Sequence, residues 1–175
     1  MTEFNQRDAS RAVFKGDIEK FQQRIDAGVV NIDDFTENEN LNWIHRATYF
    51  ISNPINFDFL KYLIELGVNS NNKDSYGYTP LHYASRKKDA NAILLLINAG
   101  ADIELEDGDG ITALQHTLLQ KPFVKKATEV LLQHGADQYH LLSSREKTIR
   151  DFVETISHGE DVVISELFDK YDKKT

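Results

Sequence analysis

Gly77-Tyr-Thr-Pro-Leu-His-Tyr-Ala84, followed by Gly100-Ala-Asp102, is the stretch whose reading decides the fold. Thr79-Pro80 leads into a helix: proline suits the first helical position, where its missing N–H removes no bond and its φ is already helical. The Thr79 hydroxyl stands at the N-cap, where it can accept an orphan N–H. Leu81 and Ala84 are three apart and share a helix face. Ala92 to Ile97 supplies a second apolar stripe, and Gly100 ends it at the left-handed position that closes many helices. The stretch therefore predicts two short helices back to back.

The same unit recurs along the chain. Gly28, Gly67, Gly100 and Gly135 are separated by 39, 33 and 35 residues. In the first copy, Ala9, Ala12 and Val13 make one stripe and Ile18, Phe21 and Ile25 a second, with Gly16 as the break and Asp17 as the cap. Arg24 stands where a leucine is expected. Asn42-Trp43-Ile44-His45-Arg46-Ala47 opens the second copy, with Trp for Pro and Ile for Leu. Its longer span is absorbed by Ile51-Ser-Asn-Pro-Ile-Asn56, read as an irregular turn because Pro54 cannot sit inside a helix. Ile111-Thr-Ala-Leu-Gln-His-Thr117 opens the fourth copy, where Ala113, Gln115 and Thr117 replace Pro, His and Ala. Beyond Asp137 the motif fades but the helical period continues through Ile149, Phe152, Val153 and Ile156, then Val163, Ile164, Leu167, Phe168 and Tyr171. Ser144 is the expected N-cap there, His158-Gly159 the turn, and Asp172–Thr175 a frayed end.

T-P-L-H-x-A followed by L-L-x-x-x-G-A-D resembles the ankyrin repeat. The resemblance implies an all-α solenoid of about four repeats, near 8–33, 37–70, 74–106 and 107–140, with a degenerate helical cap over 143–173. That makes five antiparallel helix pairs in one domain spanning 1–175. A first repeat with only one neighbour is expected to carry a polar outer face, which accounts for Arg24.

Composition restricts the partners. The chain has a net charge of −8, with 41% hydrophobic and 27% charged residues. Phosphate binding needs a basic footprint, so nucleic acid is disfavoured, as is an anionic membrane surface. There is no cysteine, hence no disulfide frame and no cysteine-based zinc site. The start lacks a signal-peptide pattern and no apolar run is long enough to cross a bilayer, so a cytoplasmic protein is expected.

The residues offer no chemistry. His45 and His82 occupy the histidine of the repeat signature, which in the ankyrin family bonds neighbouring backbone. His116 is offset from it by one and is expected to face outward. His134 precedes Gly135 at a helix end, where a cation suits the dipole. No two histidines have ligand spacing on one helix. Asp107-Gly-Asp-Gly110 faintly resembles a calcium loop but lacks its later glutamate; in the repeat frame it is the turn. With no nucleophile elbow or phosphate-binding loop, the expectation is no enzyme and no cofactor.

The resemblance implies a protein-binding module working through turn tips and the exposed side of each first helix, monomeric when free. Carried onto this sequence, the variable positions are Leu41, Tyr49 and Phe50, then Ser75, Tyr76, Tyr78, Arg86 and Lys87, then Asp109, Ile111, Leu119 and Gln120. Glu104 and Glu106 join them because acids crowd two connections. Asp33, Asp34, Glu37 and Glu39 lie between Arg24 and Arg46 with no Lys or Arg; Asp102, Glu104, Glu106, Asp107 and Asp109 lie between Lys88 and Lys121 with none. Such tips would steer a basic partner. The alternatives are an immunity protein that neutralises a cognate, basic toxin, and a scaffold subunit of a larger complex.

Overall fold

The computed structural model describes residues 3–49, 54–142, 146–157 and 162–172. Among them run α1 (Glu3–Lys15), α2 (Ile18–Asp26), α3 (Trp43–Tyr49), α4 (Phe57–Glu65), α5 (Pro80–Arg86), α6 (Ala90–Asn98), α7 (Ala113–Leu118), α8 (Lys125–Gln133), α9 (Ile149–Ile156) and α10 (Val162–Lys170). The five helix pairs expected from the repeat are these ten helices. Strand-like pairing among the described residues is limited to the isolated bridges Glu106–Thr112 and Leu141–Thr148. The chain is an all-α repeat solenoid.

Each helix is too short to persist alone in water, so stacking must hold it. Odd-numbered helices α1, α3, α5 and α7 pack side by side as an inner row, while α4, α6 and α8 pack as an outer row. Between the rows lie Phe21, Phe59, Leu60, Leu63, Leu81, Ile93, Leu96, Leu114 and Leu131, all buried. Trp43, in the place of proline, fills the junction of the first two pairs. Its ring meets Phe21 edge-on at 4.9 Å and its Nε1–H donates to the Asn31 carbonyl at 2.8 Å. At the far end α10 closes on α8 and α9, burying Ile164, Leu167 and Phe168.

Local sequence sets the helix ends. Asp17, Asn56 and Asp89 cap α2, α4 and α6 by accepting N–H bonds from Lys20, Phe59 and Ala92 respectively. α8 has Val124 at its N-cap and therefore no side-chain cap bond. Gly28, Gly67, Gly100 and Gly135, the glycines that gave the period, all have positive φ, between 65° and 94°. Arg24 is held by Asp8 on the outer face of the first pair.

Some expectations fall outside the described residues: Phe50, residues 51–53 of the long turn, Ser144, His158-Gly159 and residues 173–175. The cap of α9 is Thr148, whose Oγ1 accepts from Asp151 N–H at 3.1 Å while the Asp151 carboxylate takes Thr148 N–H at 2.8 Å.

Candidate functional site

The edge from which the inner helices start is built of turn tips laid one on another. Asp74 and Asp107 open equivalent turns 33 residues apart. Asp74 Oδ1 accepts from Tyr76 and Tyr78 N–H, both at 2.9 Å. Asp107 Oδ1 accepts from Asp109 N–H at 2.9 Å and Ile111 N–H at 3.0 Å. With one oxygen of each spent on backbone, these carboxylates make turns, and Asp107-Gly-Asp-Gly110 is a tip. Neighbouring tips are then joined: Ser75 N–H donates to Glu39 O at 3.0 Å and Gly108 N–H to Tyr76 O at 2.9 Å.

The approach is close enough to require glycine. A Cβ on Gly77 would stand 2.4 Å from Gly108 N, and Gly77 also sits at φ +80°.

Signature histidines fasten the inner row to the tips. His82 Nδ1 accepts Thr79 N–H at 2.9 Å, so Nε2 carries the proton and donates to Ile111 O at 3.1 Å in the next pair. His45 Nε2–H makes the same link to Tyr78 O at 3.0 Å. Gln115 keeps the local half, its Oε1 accepting Thr112 N–H at 2.9 Å. Burial pushes His82 down to about 4, with the His116 ring adding to the effect. His45 is also lowered by burial.

His116 overturns its expectation. It is 2% exposed and turned inward because Asp107 claims it, Nε2–H donating to Oδ2 at 2.8 Å. In the preceding pair Tyr83 fills the same place, its hydroxyl donating to Asp74 Oδ2. Each tip aspartate therefore reaches nine residues ahead to the inner helix. Burial lowers His116. Burial also opposes ionisation of Asp107, but bonds from Ile111 N–H, His116 and Asp109 N–H together bring its carboxyl below the ordinary value. A neutral imidazole donating to a carboxylate is the state these shifts favour. The sequence showed Asp107 as part of a turn and of an acidic cluster but not its hold on His116, and passed over Asp74; the signal was their common place three residues before Gly77 and Gly110. His134 closes α8 by donating from Nδ1 to Val130 O at 2.7 Å.

The positions expected to meet a partner divide. Tyr76 is 63% exposed at the tip, beside exposed Ser75. Arg86, Gln120 and Asp109 are exposed, as is Leu119 at 54%. Lys87 and Ile111 are half-buried. Tyr49 and Tyr78 are half-buried as well: Tyr78 stacks on Tyr83 at 5.2 Å, Tyr49 meets Tyr83 edge-on at 5.3 Å, and the Arg86 guanidinium lies over the Tyr78 ring at 5.4 Å. Leu41 is no surface contact: it is 5% exposed, with its N–H on Thr36 Oγ1 and its carbonyl accepting Thr36 N–H. Glu104 and Glu106 are exposed but engaged. Glu104 Oε1 accepts Asp137 N–H at 2.8 Å in the next tip, and Glu106 lies 3.0 Å from His140 Nε2.

Among the described residues no helix is long and apolar enough to cross a membrane.

A family model for ankyrin repeats, in three copies, matches residues 10–107. Among curated proteins, the ankyrin repeat protein nuc-2 of Neurospora crassa is 30% identical over 110 residues, 62% of this chain and 10% of its own. Human transient receptor potential cation channel subfamily A member 1 is 31% identical over 97 residues, 55% of this chain and 8% of its own. The RelA-associated inhibitor of Mus musculus is 30% identical over 105 residues, 59% and 12% respectively. This chain thus spans about a tenth of the length of these relatives.

Proposed function

The chain belongs to the ankyrin-repeat family, and from that membership we propose that it is a non-enzymatic, cytoplasmic module that binds another protein through its tips and the exposed side of the inner row. Ankyrin repeats generally mediate protein–protein interaction. The observation that carries the reading is Tyr76, a large aromatic held 63% exposed on a tip fixed by Asp74 and by the neighbouring tip. A rigid exposed aromatic loses little entropy on binding and is a frequent anchor of interfaces. Ser75 beside it and Arg86 on the inner helix supply polar contacts within reach of the same partner.

The acidic tips favour a partner with a basic face. An immunity protein that neutralises one basic toxin is the narrower version of this reading; a scaffold subunit is the broader one. One relative is itself named as an inhibitor associated with RelA.

Affinity capture from the native source, repeated with Tyr76→Ala, tests the proposal. The variant should melt like the wild type but release the captured protein about tenfold faster or more, the scale of an interface hot spot. Unchanged release would refute Tyr76 as an anchor. A single captured partner that loses its activity on binding selects the immunity version, and several co-purifying subunits select the scaffold.

A further inference from the structure

The edge opposite the tips carries the other sign. It consists of the connections that lead from an inner helix to its outer helix. In the third and fourth pairs these are 86–89 and 120–126, holding Arg86, Lys87, Lys88, Lys121, Lys125 and Lys126 against Asp89 within the connections and Glu129 one turn on, which pairs with Lys126 at 3.6 Å. Asp89 is committed to the α6 N-terminus, accepting from Asn91 and Ala92 N–H at 3.1 Å. Nothing in a chain of net charge −8 requires such a concentration.

The two connections form one surface. Lys88 Nζ donates across to Pro122 O at 2.7 Å and also to Gln120 O. Lys88 and Lys121 both lie over the Phe123 ring, at 5.9 and 5.6 Å. Lys121, Lys125 and Lys126 are exposed on the second connection, Lys126 beside Glu129, while the Arg86 guanidinium turns back over the Tyr78 ring.

Distance keeps this edge distinct from the acidic one. α5 begins at the tip and ends at Arg86 after 7 residues, a rise of about 10 Å. That is roughly one Debye length at physiological salt, about 8 Å. The acids of the tips therefore do not cancel the local positive potential, and net charge misdescribes what a partner meets.

We propose that the 86–88 and 121–126 edge is a second docking surface, and that its occupant is a carboxylate-rich segment of the protein partner. The inference rests on the protein-binding reading and sharpens it. A partner that places bases on the tips and acids on the opposite edge fits in one orientation only, so the two edges fix its direction across the inner row.

The test uses the full chain and two labelled probes, an oligoglutamate and an oligolysine peptide, in backbone-amide NMR titrations. Oligoglutamate should shift residues 86–88 and 121–126, and oligolysine should shift 33–39 and 102–109. Lys125→Glu with Lys126→Glu should weaken oligoglutamate about tenfold and leave oligolysine unchanged, since acids in a helix's first turn suit its dipole and the fold survives. An oligoglutamate peptide that shifts nothing at this edge, or shifts it equally in the charge-reversed chain, overturns the inference while an oligolysine response leaves the tips in place. Phosphatidylserine vesicles or single-stranded DNA binding these residues more tightly than oligoglutamate overturns it as well.

Discussion

Acid should loosen the stack through its buried histidines, and His82 allows the size of the effect to be worked out. Its imidazole is 1% exposed and held near 4 in the folded chain, against 6.5 when unfolded. The folded value is the lower one, so unfolding takes up a proton wherever the pH lies between the two. His82 therefore contributes stability that is fully present above pH 6.5 and is lost as pH falls toward 4. From neutral pH to about pH 5 the loss is about 2 kcal/mol. Asp107, which despite its burial is brought below the ordinary carboxylate range by bonds from Ile111 N–H and His116, stays charged across that window. His82→Gln isolates the effect, because Gln115 already shows that glutamine can accept the cap N–H in this place. The variant loses the bond to Ile111 O, which costs about 1 kcal/mol at neutral pH. Its stability should then fall less steeply on acidification, and the two curves should cross between about pH 6 and about pH 5. Urea unfolding followed by circular dichroism at several pH values measures this directly. His45 titrates in both chains, whereas the His116 ring, 5.3 Å from His82, loses a like-charge neighbour in the variant, which flattens the variant's curve in the same direction. Parallel curves would refute the assignment of a buried neutral imidazole at His82.

Two further substitutions probe the repeat frame by thermal and chemical unfolding. Leu81→Ala removes a side chain that is 1% exposed between the rows and should destabilise by about 2–5 kcal/mol; a loss under about 1 kcal/mol contradicts its place in the core. Gly77→Ala should cost clearly more than Gly100→Ala: both glycines have positive φ, but a Cβ at Gly100 meets nothing within 4 Å while one at Gly77 meets the next tip at 2.4 Å. The Gly100 change should cost about 1 kcal/mol, and equal costs at the two sites would mean the tips are not in contact.

The helix pairs were legible because they rest on local rules. Period, caps and left-handed glycines are each decided within a few residues of chain, and Asp17 and the four closing glycines stand where those rules put them. The surface was less legible because it depends on neighbours a full repeat away. Leu41 occupies a variable position, yet positive φ at Asn40, 53°, and the pair of bonds with Thr36 turn it inward. His116 looked outward by register, and only the conformation of the tip shows that Asp107 reaches it. Tyr78 stands at a variable position, but stacking on Tyr83 leaves only the smaller part of it at the surface.

The acidic edge itself separates into two kinds of carboxylate once the tips are seen in contact. Asp74 and Asp107 are buried and saturated by backbone N–H groups and by Tyr83 and His116. They shape the tip and offer a partner little. Glu104 is exposed yet holds the next tip through Asp137 N–H, so reversing its charge would break a rung as well as alter the field. Asp33, Glu37, Asp102 and Asp109 are exposed, and it is these that set the potential met by an approaching cation. Exposed charges act mainly on the association rate and weaken with salt, whereas an anchored aromatic acts on the dissociation rate. On the proposed reading, Tyr76 and the acids of the neighbouring tips are therefore separable: the acids would speed the encounter, and the tyrosine would set how long it lasts.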